Sequence, residues 1–167
     1  MKLEEAIRQR RSIRHYTDRV PTRRIIDKIL AAAIWAPSGL NNQPWKFKVL
    51  TGQKDRDRLA AFTKYGQTIK KAPVAICVFL DLSVSYNRQK DTMAIGACIQ
   101  NMLLQAYELG LGTCWLGEIL NRRQEVEKYL RVDPERELMA VITAGYPDEE
   151  MTEGCRKRLQ DFMLKDP

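Results

Sequence analysis

The chain's hydrophobic pattern is organised around one stretch, Asp91 to Gly117. From Met93 to Tyr107 it carries no charge, and Met93, Ile95, Ile99, Met102, Leu103, Leu104 and Ala106 fall on all sides of a helix. A surface helix shows one apolar stripe, so this pattern predicts a buried central helix, roughly 28 Å long. Asp91 or Thr92 is placed to cap its start, and Gly110-Leu111-Gly112 to end it. Thr113 to Leu116 then reads as a short strand closed by Gly117. The small residues Ala94, Gly96, Ala97 and Cys98 predict close approach of another backbone, from this chain or a second copy.

The remaining elements follow from the same two periods. Residues 2–10 read as a helix with Leu3, Ala6 and Ile7 on one face, and Thr22 to Ala33, after Pro21, as an amphipathic helix. Trp45 to Thr51 alternates Phe47 and Val49 with Lys46 and Lys48, a strand with one wet face. Asp55 to Phe62 predicts a short helix; Thr63 to Lys71 is ambiguous. The run Pro73 to Leu80 predicts a central strand. Asn121 is placed to cap a helix carrying Val126, Tyr129 and Leu130, ended by Asp133-Pro134. Leu138 to Ala144 is a fourth strand, and a short amphipathic end closes the chain. Strands and helices do not alternate strictly, so the expected class is α+β, with helices around a sheet of about four strands.

Composition narrows the function. With 167 residues, one domain (1–167) is expected; 44% hydrophobic and 29% charged residues fit a soluble globular protein. No apolar run reaches membrane-spanning length, and the N-terminus lacks a signal-peptide core. Cys77, Cys98, Cys114 and Cys155 form no C-x-x-C pair, which points to free thiols in a reducing cytoplasm. A single histidine gives a zinc site little support. The net charge of +7 suits an anionic ligand, a nucleic acid or a merely basic protein.

Three stretches carry candidate chemistry. Arg10, Arg11, Ser12, Arg14 and His15 form either an anion site of forked donors or a solvated basic helix end. Between Pro37 and Pro44, Ser38, Gly39, Asn41, Asn42 and Gln43 make either a plain turn or a rigid polar loop able to read a flat heterocycle; Gly39 permits unusual backbone angles. Arg156-Lys157-Arg158 is a solvated face unless something anionic needs it. The phosphate-binding, dinucleotide and nucleophile-elbow glycine motifs are absent. A triad would have to use His15, among arginines that disfavour its cationic form. An enzyme built this way would rely on a cofactor.

Together, RRSIRHY at 10–16, APSGLNNQPWKF at 36–47, KAPVAICVF at 71–79, the stretch at 96–117, ITAGYP at 142–147 and RKR at 156–158 resemble the FMN-dependent nitroreductase family, in order and over nearly the whole chain. The resemblance implies a three-layer α+β sandwich with a central mixed or antiparallel sheet. It also implies an intertwined homodimer with FMN at the interface. By that resemblance Arg10, Arg11, Ser12 and Arg14 hold the phosphate and polar flavin edge, and Arg156 and Arg158 complete the phosphate clamp. Pro37, Ser38, Gly39 and Asn41 reach the flavin from the partner subunit, and the backbone of Leu116 and Gly117 lies against its ring. The implied reaction is ping-pong: NADH or NADPH gives a hydride to flavin N5, and a nitroaromatic, quinone or similar acceptor takes the electrons. No side chain is needed as a nucleophile; Arg14 is the candidate for stabilising the reduced flavin.

Many relatives bring a lysine or asparagine to the flavin from before the central strand; Lys64, Lys70 and Lys71 are the candidates here. The chain has little room for helices inserted over the pocket. Dehalogenation, flavin fragmentation or flavin binding without turnover are the alternative functions. A basic nucleic-acid-binding domain is disfavoured because aromatics are not interleaved with the basic runs apart from Tyr16. A cytoplasmic enzyme with neither nucleic-acid nor membrane partners is expected.

Overall fold

The computed structural model describes residues 2–149 and 153–164. Strands β1 (Trp45–Leu50), β2 (Val74–Asp81), β3 (Gly112–Leu116) and β4 (Arg136–Gly145) form one sheet in the order β1-β2-β4-β3. Each neighbouring pair is antiparallel. All eight residues of β2 are buried, because both sheet faces are covered. Val74, Ile76, Val78 and Leu80 pack with α2 (Arg23–Ala33) and α5 (Arg88–Glu108). Ala75, Cys77 and Phe79 pack with α3 (Gln53–Ala60), α4 (Gly66–Lys71) and α6 (Arg123–Leu130). The expected α+β sandwich of three layers is present, and the ambiguous segment 63–71 supplies α4.

Several local expectations need correction. α6 starts after a 3-10 turn, Glu118–Arg122, and Asn121 caps nothing; its amide instead donates to Glu118. The wet face of β1 is partly covered, since Lys48 donates to the Leu130 carbonyl at 2.6 Å, where the end of α6 presents unpaired carbonyls. In α1 (Leu3–Gln9) only Ala6 is buried; Leu3 and Ile7 are exposed.

The central helix differs most. α5 begins at Arg88, three residues before the expected start, and Asn87 caps it by accepting from the Lys90 N–H. It is not buried all round. Ala94 and Cys98 turn into the chain's own core, so the expected small-residue contact keeps only Gly96 and Ala97 half-exposed. With Met93, 65% exposed, they open a stripe of α5 to solvent. A groove lined by Leu3, Ala6, Trp35 and Leu104 continues it. Residues 153–164 are exposed throughout, including Leu159, Phe162, Met163 and Leu164.

Asp91, read from sequence as a cap, lies fully buried in the first turns of α5. Its carboxylate accepts from Asn42 Nδ2 (2.8 Å), Ser85 Oγ (2.6 Å) and the N–H groups of Tyr86 and Asn87. Burial opposes its charge, but these donors outweigh burial and hold its pKa below the usual carboxylate value. The charged cluster therefore stabilises the fold above about pH 4, and that contribution is lost as pH falls through the lower folded value. Asp91→Ala is expected to cost about 3 kcal/mol by urea unfolding at pH 7, since buried donors are left unpaired, and to flatten the wild type's loss of stability in acid. Equal stability of the two proteins at pH 7 would contradict this role.

Candidate functional site

Segment 10–14 leaves the end of α1 and is fastened to the outer edge of β3. The Ile13 N–H donates to the Thr113 carbonyl at 2.9 Å, and Ser12 pairs with Thr113 in a parallel bridge. Behind it, the buried Tyr16 hydroxyl donates to the Ile13 carbonyl (2.6 Å) and lies 2.8 Å from Thr143 Oγ1. Burial raises the Tyr16 pKa, so the hydroxyl stays protonated and available as a donor. These bonds leave Arg10 and Arg11 half-buried and Ser12 and Arg14 exposed. Arg14 folds its guanidinium back to the Ser12 carbonyl, and Glu149 accepts from the Arg14 N–H at 2.6 Å.

The C-terminal tail returns to this group. A Cβ on Gly154 would fall 2.1 Å from the Arg11 guanidinium, so the tail backbone lies against it. Burial lowers the Arg10 pKa, and the charges of Arg11 and Arg156 lower it further. Arg10, Arg11 and Arg156 are thus brought together, 145 positions apart in part, and Arg10 has no ion pair among the described residues. A cavity of about 190 Å³ opens beside Arg10 and Arg11. Arg158 is not drawn in; it pairs with Asp161 and closes its own turn, Leu159–Phe162.

At the other end of β3, Leu116 is buried while Gly117 is exposed. Gly117 has φ −97°, which any residue adopts, and a Cβ there would meet nothing within 4 Å. The chain itself gives no reason for glycine at this position. Beside it, Glu118 accepts from Thr63 Oγ1 (2.5 Å) and the Lys64 N–H (3.1 Å), tying the 63–65 turn to Gly117. The Thr63 bond is the main reason its carboxyl lies below the usual range. Of the three candidate lysines, only Lys64 is held here; Lys70 and Lys71 line a different cavity with Thr17 and Arg56.

The 37–43 loop stands elsewhere. It precedes β1, at the sheet edge opposite β3, three strand spacings or about 14 Å away. The unusual backbone falls not on Gly39 but on Leu40, Asn41 and Gln43, with φ of 55°, 53° and 48°. Gly39 serves packing, since a Cβ would collide with the Tyr86 hydroxyl. Ser38 Oγ accepts from the Gln43 N–H at 3.0 Å; Pro37 and Asn41 are exposed. One chain therefore does not bring Pro37, Ser38, Gly39 and Asn41 to Arg10 and Gly117.

Comparison with known proteins decides the family. The nitroreductase family profile matches residues 7–73 and 61–146. The chain belongs to the nitroreductase family. A provisionally named nitroreductase from Desulfovibrio desulfuricans, solved in complex with FMN, is 46% identical with a TM-score of 0.94; the match covers 100% of this chain and 98% of that one. A provisionally named NADH dehydrogenase/NAD(P)H nitroreductase from Methanothermobacter thermautotrophicus is 39% identical over 151 residues, 89% of this chain and 79% of that protein. An iodotyrosine deiodinase from Thermotoga neapolitana is 26% identical over 172 residues, 88% of this chain and 89% of that protein.

In this nitroreductase-family chain, Tyr16, Thr143, Glu118, Tyr86 and Asp91 hold the candidate segments in place, a role not assigned to them from sequence. The only available signal was a buried polar residue inside an apolar run, as at Thr143 in LMAVITA. The buried thiols of Cys77 and Cys98, pushed up to about 12 by burial, stay protonated and supply no nucleophile. Tyr16→Phe, which frees the Ile13 carbonyl, is expected to lower stability by about 1 kcal/mol in urea unfolding; an unchanged midpoint would remove Tyr16 from the anchoring of segment 10–14.

Proposed function

We propose that this nitroreductase-family chain is an FMN-dependent oxidoreductase, working as a homodimer, that uses NADH or NADPH to reduce nitroaromatics, quinones or similar electron-poor acceptors. The observation that carries the reading is the meeting of Arg10, Arg11 and Arg156 beside exposed Ser12, at one end of β3, with open backbone at Gly117 at the other. Arg10, near the charges of Arg11 and Arg156 and with no ion pair among the described residues, favours an anion, and a flat ring lying on the backbone accounts for the glycine. The donor set thus fits a phosphate at one end and a planar ring at the other.

Bound FMN would supply hydride acceptance from the nicotinamide and electron delivery to the second substrate. Arg10, Arg11 and Arg156 hold the phosphate with forked, charge-assisted donors, and Ser12 adds a hydroxyl. Arg158 is left out of the clamp. The Leu116–Gly117 backbone presents an N–H to the ring. Arg14, on the exposed side of segment 10–14, supplies positive charge towards the polar edge. Glu118 keeps Lys64 beside the ring by holding its backbone. A second copy brings Pro37, Ser38, Gly39 and Asn41 across the interface, and excludes water as it covers the Met93–Ala97 stripe and the Trp35 groove. Catalysis rests on this positioning and on cationic surroundings, with no protein nucleophile. Likeness to the deiodinase makes reductive dehalogenation the second reading.

FMN titration tests the proposal. The wild type is expected to quench FMN fluorescence at one site per chain and to bleach with NADH or NADPH. R10A/R156A is expected to bind FMN at least about tenfold more weakly. Gly117→Val is expected to keep wild-type stability and lose FMN affinity. A wild type that takes up no FMN, or full affinity in both variants, would overturn the reading.

A further inference from the structure

A cavity of about 440 Å³ lies between α3, the end of α4 and the segment after His15, and shares no residue with the cavity beside Arg10. Arg56 forms part of its wall and is only 6% exposed. Its guanidinium donates to the Thr51 carbonyl and, at 2.6 Å, to Gln53 Oε1, while its Nε is sealed from solvent without a partner. No carboxylate forms an ion pair with it among the described residues. Burial lowers its pKa, and Asp57 only partly offsets this. A buried cation without a counter-charge is costly.

The surroundings add to that cost instead of relieving it. Lys70 and Lys71, in the last turn of α4, line the same cavity. Gln53 Nε2 donates to the Lys70 carbonyl at 3.1 Å, fixing α4 against the Arg56 wall. Thr17 also lines it, and its Oγ1 is buried without a partner. Asp18 and Asp148 face the cavity too, but both are exposed and neither pairs with these cations. Three cations, one of them buried, thus converge on a space large enough for a small ligand.

We propose that this cavity is a second binding site, for a small phosphate-type oxyanion, with Arg56 and the Lys70–Lys71 pair as its cationic donors. Forked guanidinium and ammonium donors match tetrahedral oxyanions, borne by free pyrophosphate or by a nucleotide's phosphate ester. The site is independent of the proposed flavin clamp, so each can fail alone.

Isothermal titration calorimetry in phosphate-free buffer tests this, with inorganic pyrophosphate and adenosine 2′-monophosphate as probes, without FMN and with saturating FMN. Binding at one site per chain is expected, unaltered by FMN and weakened at least about tenfold in K70A/K71A and in R56M. Tighter binding of pyrophosphate identifies a free oxyanion, and tighter binding of the nucleotide a phosphate ester; both support the site. Heat from neither probe, binding abolished by FMN, or binding unchanged in the variants would overturn it. If R56M does not fold, K70A/K71A decides, because both lysines are exposed.

Discussion

The Asp91 carboxylate accepts four hydrogen bonds from donors in three parts of the chain: Asn42 in the loop before β1, Ser85 and Tyr86 in the turn after β2, and Asn87 at the helix cap. A buried charge persists only where donors compensate it, so these parts are fixed relative to one another. Leu40, Asn41 and Gln43 occupy the left-handed region, which costs non-glycine residues of order 1–3 kcal/mol each and survives only where the surroundings impose it. Here Asn42 on Asp91, Ser38 on Gln43 and Gly39 on Tyr86 impose it. The outcome is a rigid loop whose Leu40 and Asn41 are exposed.

A second constraint is electrostatic. Segment 10–14 is pinned by Ile13 to β3 and by Tyr16 from behind, which fixes the backbone that carries Arg10 and Arg11 beside the returning tail. Arg10, with no ion pair among the described residues, thereby sits near the charges of Arg11 and Arg156, a setting that favours an anion. Rigid donors already in place lose little freedom on binding, which is how a flavoprotein site gains affinity from preorganisation. The two halves of the proposed site, clamp and loop, lie on opposite edges of one sheet, and in the proposed dimer the exposed stripe on α5 is the surface through which two copies join them.

Much of this was legible in the sequence because it is periodic. The eight-residue apolar run of β2 announced a strand buried on both faces, and the α2 spacing announced its inward stripe. The basic runs announced an anion, and the ordered motifs a family. What stayed illegible depends on contacts between distant positions. Asp91 looks like a helix cap until Asn42, 49 residues away, donates to it. Gly39 looks like the seat of an unusual backbone angle until Tyr86 fills the space of its side chain. Lys64 is indistinguishable from Lys70 and Lys71 until Glu118 takes hold of its backbone. The helix start moved because Asn87, four residues upstream of Asp91, has the free side chain that Asp91 has already committed.

The central claim is that the flavin site is assembled from two copies, with the arginine clamp from one and the 37–43 loop from the other. Subunit mixing tests it most directly. R10A/R156A and S38A/N41A, each expected to bind FMN poorly alone, are unfolded, mixed in equal amounts and refolded together. Across a two-fold interface half of the dimers are mixed, and each mixed dimer holds one intact site, so FMN binding is expected to recover to about a quarter of wild-type capacity. No recovery from a mixture shown to contain mixed dimers would contradict the account and place clamp and loop in separate roles.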